Sequence, residues 1–468
     1  MKATMIHLIR YKYGYIVAAI IFVAFILRLA LFVLYPDGLS PDAQSYYTAA
    51  LNIVNGNGYS DHTEAPYLPF YFREPVTSYS MSFFVWGWKW ISGASAVPYP
   101  SSWLVRQMEP CHQVIIFFIR IGSSILQLFG LLLFSTIVKR HSSKKAALAF
   151  LSIGAVYSPL IFYSSLLLRE VYLFFLLMLI TWFWDKFLFS GKWLYLIATA
   201  LTGGFICLCL HLYWILLLMY LPLLAIHLKR NNGKVIARCM VFAIAFFLPT
   251  LPWVIKVYNY YPDIRIVKTL GSGLTVDYTN GLNAYRAFGV DPYSAKQGDL
   301  PRDIPVRTDI FSITDVRKNF QYTFDGTYRK EATRINSENT TATLLRYYGK
   351  RLLLAFRNTV FIVGITYDYG IFHGQFSKKD ILKFLFCLPW LLMGILAFMG
   401  LLSVIKRYWI IMPTFFYNTL FFFAYGDEER RQYVLIPWII VLSMYSVWRF
   451  LKKKQRMASD HSFDIECI

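Results

Sequence analysis

The feature that most limits this chain is a series of ten apolar stretches, each close to the roughly 17–25 residues needed to cross the hydrocarbon of a bilayer. They fall at residues 14–35, 113–137, 146–167, 171–190, 193–210, 213–228, 239–257, 382–405, 409–425 and 433–450. Across the 468 residues, 57% are hydrophobic and only 16% charged, against about 25% charged in soluble domains. A soluble globule, a disordered chain and a collagen-like fibre are therefore excluded. The first stretch runs on through Ile26, Leu27, Arg28 and Leu29 without a small-residue cleavage site, so it reads as a span and not as a signal peptide. The expected fold class is all-α: a polytopic membrane protein of about ten transmembrane helices.

Charge orients the spans. Lys and Arg number 47 against 26 Asp and Glu, a net charge of +21. In a soluble protein that excess points to nucleic acid; in a membrane protein its position matters more. Segments 1–12, 138–146, 185–193, 229–238, 406–407 and 451–456 hold nineteen Lys and Arg and a single acid, Asp185. Loop 36–112 holds three basic residues against six acids. Both termini are expected in the cytoplasm and loop 36–112 outside. Residues 351–372 are apolar in two runs, but Arg357 lies between them, and a span there would put Lys406, Arg407 and the tail lysines outside. That segment is expected to be an interfacial helix within a second outer loop, 258–381. The chain thus divides into a membrane module 1–257 carrying loop 36–112, the large outer loop 258–381, spans within 382–450, and a cytoplasmic tail 451–468. It is expected to be a multi-pass membrane protein with its chemistry at the outer face. Lys452, Lys453 and Lys454 read as an anchor on an anionic leaflet, and no nucleic-acid partner is expected.

No P-loop, dinucleotide fingerprint, paired CxxC or HExxH occurs, and the six cysteines form no regular framework; ATP-driven, dinucleotide-dependent and zinc-protease readings lack support. Three charged elements share the outer side. Asp42 follows the first span by about seven residues, at the interface, where partial desolvation makes a carboxylate more basic and suits it to accept a proton; equally, it reads as the N-cap of a helix over 43–54. Arg169 and Glu170 interrupt the third and fourth spans, either as a working pair or as a hairpin turn. Arg430 and Arg431 lie between the last two spans and offer fork-shaped donors for phosphate, unless Asp427, Glu428 and Glu429 absorb them. His211 lies in a tight hairpin, as a hydrogen-bonded interface histidine or as a ligand.

Several short patterns occur in a telling order. Asp42 is followed by an alanine-rich helix ending in Gly56, Asn57, Gly58 and Tyr59, then Arg73-Glu74-Pro75, then Glu170. Further on come Asn280 to Tyr285 with Gly289 to Pro292, and Glu429-Arg430-Arg431-Gln432-Tyr433 leading to Pro437. This order resembles the GT-C superfamily of membrane glycosyltransferases, and more narrowly it is similar to the group of dolichyl-phosphate-mannose protein mannosyltransferases and the lipid A aminoarabinose transferase. The chain departs from that group in carrying His211 where many relatives have Arg, and Glu170 where they have Asp.

The resemblance implies an inverting transfer of a sugar from a polyprenyl-phosphate donor to an acceptor hydroxyl or amine on a glycan, lipid or protein at the outer, periplasmic face of an inner (plasma) membrane. It implies catalytic roles for Asp42 and Glu170, donor-phosphate contacts from Arg430, Arg431 and Arg73, and substrate contacts from Tyr46, Glu74, Asn283 and His211. No cofactor is required, and Mg²⁺ or Mn²⁺ is not expected. Two other readings remain open at this point: an O-antigen polymerase or ligase, which would lean on Arg instead of Asp42, and a flippase or transporter of lipid-linked sugars, which would move a glycan without cleaving its phosphate bond.

Overall fold

The computed structural model describes residues 2–34, 39–65, 67, 73–230, 234–260, 392–401, 404–405, 408–425 and 433–463, and all the regular structure among them is helical. In chain order the helices are α1 (Lys2–Leu34), α2 (Pro41–Asn55), α3 (Pro75–Ser92), α4 (Pro110–His141), α5 (Lys144–Val156), α6 (Ser158–Tyr163), α7 (Arg169–Ser190), α8 (Trp193–Cys207), α9 (Ile215–Arg230), α10 (Val235–Phe247), α11 (Leu251–Tyr260), α12 (Leu392–Leu401), α13 (Pro413–Tyr425) and α14 (Ile436–Phe463). Short 3₁₀ turns stand at His211–Trp214, Trp409–Ile411 and Tyr433–Leu435. The expected helix near 351–372 lies outside the described residues.

Local chemistry sets the boundaries. Prolines 41, 75 and 110 begin α2, α3 and α4, where a missing N–H costs nothing. Ser40 caps α2 by accepting from the Ala43 N–H, and Gly56, at φ +84°, closes it with its N–H aimed back at Asn52 and Ile53 carbonyls. Asp42 is therefore not the N-cap; it is the second residue of the first turn, with its carboxylate directed to Arg73. At the other end of α4, Lys139, Arg140 and His141 occupy the last turn, where the helix dipole favours cations.

The chain is a membrane protein. Five segments are long and apolar enough to cross a bilayer: Tyr13–Val33, Pro110–His141, Arg169–Ser190, Leu212–Lys229 and Tyr433–Lys452. The pair α10 and α11, bent by 50°, makes a sixth if it is one span. The bend falls at Leu248-Pro249-Thr250, because a proline removes a helical hydrogen bond and collides with the carbonyl four residues before it. The expected span 146–167 is likewise broken, into α5 and α6 at Tyr157, ahead of Pro159. Stretches 193–210 and 409–425 fold as the shorter helices α8 and α13, and of stretch 382–405 the ten residues of α12 are the longest described helix.

Buried polar side chains repair the α5–α6 break. Arg28, fully buried, donates to Gln127 Oε1 at 2.8 Å, to the Ala24 carbonyl at 2.8 Å and to the Ala155 carbonyl at 3.5 Å. Gln127 Nε2 donates to the Leu160 carbonyl at 2.6 Å and to the Tyr433 hydroxyl. Carbonyls freed by a broken helix find no water in hydrocarbon, so side chains must serve them. Around this knot α4 packs on α7 and α5, α7 on α8, and α8 on α10, with Phe134, Phe150, Phe174, Trp184 and Tyr220 filling the interior. At the far end of the bundle, Asp185 of α7 pairs with Arg140 and, at 2.6 Å, with His141, tying α7 to α4.

Candidate active site

Loop 36–112, expected to be an outer loop, carries the packed helix pair α2 and α3, which begin side by side at Asp42 and Arg73 and end side by side at Val54 and Lys89, followed by a segment that leads into α4. Its scaffold is polar and local. Asn52 Nδ2 donates to the carbonyls of Ser60 and His62 at 2.7 and 2.8 Å, and the Tyr59 hydroxyl donates to the carbonyls of Arg73 and Glu74, both at 3.2 Å. Tyr47 bonds His112 Nδ1 at 2.8 Å, fixing α2 on the start of α4. The Val76 N–H donates to the Leu208 carbonyl at 3.2 Å and Cys209 Sγ to the Arg169 carbonyl at 3.6 Å. The segment just before His211 thus braces both α3 and α7.

On this scaffold four charged residues converge around one phenol. Arg73 Nη2 donates to Asp42 Oδ1. The same guanidinium lies over the Tyr46 ring, 5.7 Å from its centroid, at a distance where a cation is attracted by the ring quadrupole. One residue on, Glu74 is 4% exposed and accepts from Arg169 Nη1 at 3.2 Å. Arg169 Nε stands 3.9 Å from Glu170 Oε1, and Glu170 is also 4% exposed. Burial pushes the Tyr46 phenol up to about 12, with Arg169 and Arg73 pulling the other way and Asp42 and Glu74 adding to the rise. All four of those charges are therefore felt at one hydroxyl, which stays protonated at neutral pH.

The structure thus brings together five residues singled out in the sequence: Asp42, Glu170, Arg73, Tyr46 and Glu74. Asp42 and Tyr46 lie near the start of α2, Arg73 on the approach to α3, Glu74 at the residue before α3 with its side chain not bonded to the helix end, and Glu170 in the first turn of α7. The Arg169–Glu170 step is not a hairpin turn but a helix start, reached through an extended Leu168. Arg430, Arg431 and Asn283 lie outside the described residues, as does the side chain of His211. Arg169 enters the sequence reading only as the partner of its neighbour Glu170, which its Nε approaches to 3.9 Å; its hydrogen bond to Glu74 across 95 residues carries no signal in the sequence. Among the described residues no three His, Cys, Asp or Glu side chains gather as metal ligands would.

No family model matches the sequence, and no curated protein matches it. Solved structures do match the fold. The archaeal oligosaccharyltransferase AglB from Archaeoglobus fulgidus, in complex with an inhibitory peptide and a dolichol-phosphate, superposes with a TM-score of 0.53 over 97% of this chain at 12% identity. Its apo form gives 0.51 over 96% at 13% identity. The chain has a GT-C fold. It spans 52% of the length of each AglB chain, so the likeness is to about half of a longer protein's fold and not to the whole of it. ArnT from Cupriavidus metallidurans, bound to undecaprenyl phosphate, aligns over 93% of this chain and 77% of that one at 12% identity, with a TM-score of 0.38, too distant to argue from. Within the GT-C fold, the Asp42–Arg73 and Glu74–Arg169–Glu170 pairs occupy the end of the bundle where α2, α3, α4 and α7 begin.

Proposed function

We propose that this protein is an inverting glycosyltransferase that moves a sugar from a polyprenyl-phosphate donor to an acceptor hydroxyl or amine at the outer, periplasmic face of the membrane. The observation that carries the reading is the meeting of Asp42 with Arg73, beside Glu74, Arg169 and Glu170, at one end of a GT-C fold. An interfacial carboxylate next to guanidinium groups is the combination that displacement of a phosphate from a sugar requires. The AglB structure contains a dolichol-phosphate, which makes a lipid phosphate the natural donor class.

In this reading the acceptor oxygen or nitrogen attacks the anomeric carbon from the face opposite the phosphate. The acceptor's proton passes to Asp42 as the new bond forms. The C1–O bond to phosphate breaks, its electron pair stays with the phosphate oxygen, and the configuration inverts. General-base help of this kind contributes about 10²–10⁴ in rate, and cations placed where charge develops on the leaving group contribute most of the rest. Glu170 orients sugar or acceptor hydroxyls, and Tyr46, held neutral, offers a hydrogen-bond donor to substrate.

Charge shapes the rest of the assignment. Asp42, Glu74 and Glu170 outnumber Arg73 and Arg169 by one, so a departing phosphate needs further cations. Arg430 and Arg431, in the short loop before Tyr433, are assigned that role. The scheme needs no metal.

The test is turnover of a panel of polyprenyl-phosphate sugars by purified protein in nanodiscs, detecting free polyprenyl phosphate. Release that depends on the sugar and on added acceptor is expected. A protein that binds such donors and carries them across the bilayer uncleaved is a transporter, and that result contradicts the reading.

A further inference from the structure

Helix α3 is built inside out. Its buried face carries Thr77, Ser78 and Ser82 with Met81 and Val85, while its outer face shows Tyr79, Phe83, Trp86 and Trp90, spaced four, three and four residues apart. Their side chains are 46, 67, 56 and 75% exposed. In water a helix hides its apolar stripe; one that hides hydroxyls and displays aromatics faces lipid or a lipid-like ligand. The stripe runs about 16 Å along the helix at 1.5 Å per residue.

Its position is as telling as its composition. Residues 73 and 74 lead directly into α3, so the stripe starts about one turn from the Arg73–Asp42 and Glu74–Arg169 pairs. Tyr79 at that end stacks on Tyr59 with ring centroids 6.0 Å apart, and Tyr59 in turn holds the carbonyls of Arg73 and Glu74. A charged head-group site and an apolar track are thus joined end to end through one tyrosine. An amphiphile with an anionic head and a long branched hydrocarbon chain has this shape; an ordinary surface patch has no reason to begin at a buried ion-pair cluster.

We infer that the Tyr79–Phe83–Trp86–Trp90 face of α3 is the docking track for the isoprenoid chain of a polyprenyl phosphate whose head group sits at the Arg73 and Arg169 end. The inference rests on the donor class proposed above and adds to it the surface that selects the chain. Aromatic faces are large and rigid and lose little side-chain freedom on contact, which suits them to grip a methyl-branched chain in competition with bulk acyl chains.

The experiment uses the full chain in nanodiscs and two photoactivatable probes: undecaprenyl phosphate with a diazirine early in its chain, and a phosphatidylcholine with a diazirine in its acyl chain. Labelled peptides are mapped by mass spectrometry. The phospholipid probe reports every lipid-facing surface. The polyprenyl probe is expected to label α3 about tenfold more strongly relative to the phospholipid probe, an affinity preference of the size that a tenfold ratio expresses, and unlabelled undecaprenyl phosphate is expected to compete this labelling away. Phe83→Ala with Trp86→Ala is expected to remove the enrichment, while Phe205→Ala on the exposed side of α8 leaves it; an unchanged phospholipid pattern shows that each variant is folded. Enrichment on other helices, with α3 at the phospholipid level, overturns the track and leaves the lipid-phosphate reading standing. Absence of competed labelling anywhere overturns both.

Discussion

Arg169 at the first residue of α7 donates to Glu74, the residue just before α3, across 3.2 Å, with Glu74 only 4% exposed. This bond joins the α2–α3 pair to the membrane bundle. It also fixes the spacing between Asp42, two residues of hydrogen bonding away through Arg73, and Glu170, the next residue in α7. Removing one member of a buried pair leaves the other charge unpaired and typically costs about 3–5 kcal/mol. Glu74→Ala is therefore expected to lower the unfolding temperature in detergent more than the double replacement Glu74→Met with Arg169→Met. Thermal unfolding followed by tryptophan fluorescence reads the difference; a double variant no better than the single one argues against a direct pair.

The Arg28–Gln127–Tyr433 knot makes a second stability prediction. Gln127→Leu removes an acceptor for Arg28 and a donor for both the Leu160 carbonyl and the Tyr433 hydroxyl. Leaving buried polar groups unsatisfied costs about 1–3 kcal/mol each. Tyr433→Phe, which loses one hydroxyl, is expected to cost about 1 kcal/mol. Denaturant midpoints in detergent should rank Gln127→Leu well below Tyr433→Phe, and Tyr433→Phe a little below the parent.

Close helix approach supplies a third. A Cβ on Gly204 would stand 2.3 Å from the Phe246 carbonyl oxygen and 2.9 Å from the Pro249 ring, so Gly204→Ala must push α8 off α10. Overpacking of this kind costs about 1–3 kcal/mol. Gly87→Ala, where nothing lies within 4 Å, is expected to be neutral or slightly stabilising because alanine favours the helix. The paired melting temperatures decide it.

Tyr46 makes a prediction about alkaline pH. Its phenol is raised to about 12 by burial, against about 10 in the unfolded chain. Above pH 10 the unfolded state binds fewer protons than the folded one, so stability falls as pH rises. The contribution is complete below pH 10 and is lost progressively towards pH 12. Tyr46→Phe is expected to show a shallower loss of stability over that window, measured as melting temperature against pH; parallel curves for the two proteins would falsify the assignment.

Much of this was legible in the sequence, and the parts that were not have physical reasons. Asp42 and Glu170 could be read because an acid at a membrane boundary is costly and stands out against apolar neighbours, whereas Arg73 and Glu74 entered only through the ordered pattern that carries the resemblance. Arg28 also interrupts an apolar run, yet it reads as a tolerated residue of a long span, because its partners Gln127 and the Ala155 carbonyl are 99 and 127 residues away. The hydropathy of 146–167 and 239–257 gives length without straightness: Pro159 and Pro249 break helices whose composition still looks like one span. Ser40 takes the cap of α2 from Asp42, a choice that depends on where the chain leaves the first span and not on the residue types alone.

The central claim is that the Asp42 cluster performs the transfer, and the most direct test is to separate binding from turnover in one variant. Asp42→Asn keeps the shape and a hydrogen-bonding partner for Arg73 but cannot take up a proton. With a donor that the parent protein cleaves, the account predicts that Asp42→Asn binds it within a few-fold of the parent while release of polyprenyl phosphate falls about 10²–10⁴-fold. A folded Asp42→Asn protein that turns over the donor at the parental rate would contradict it.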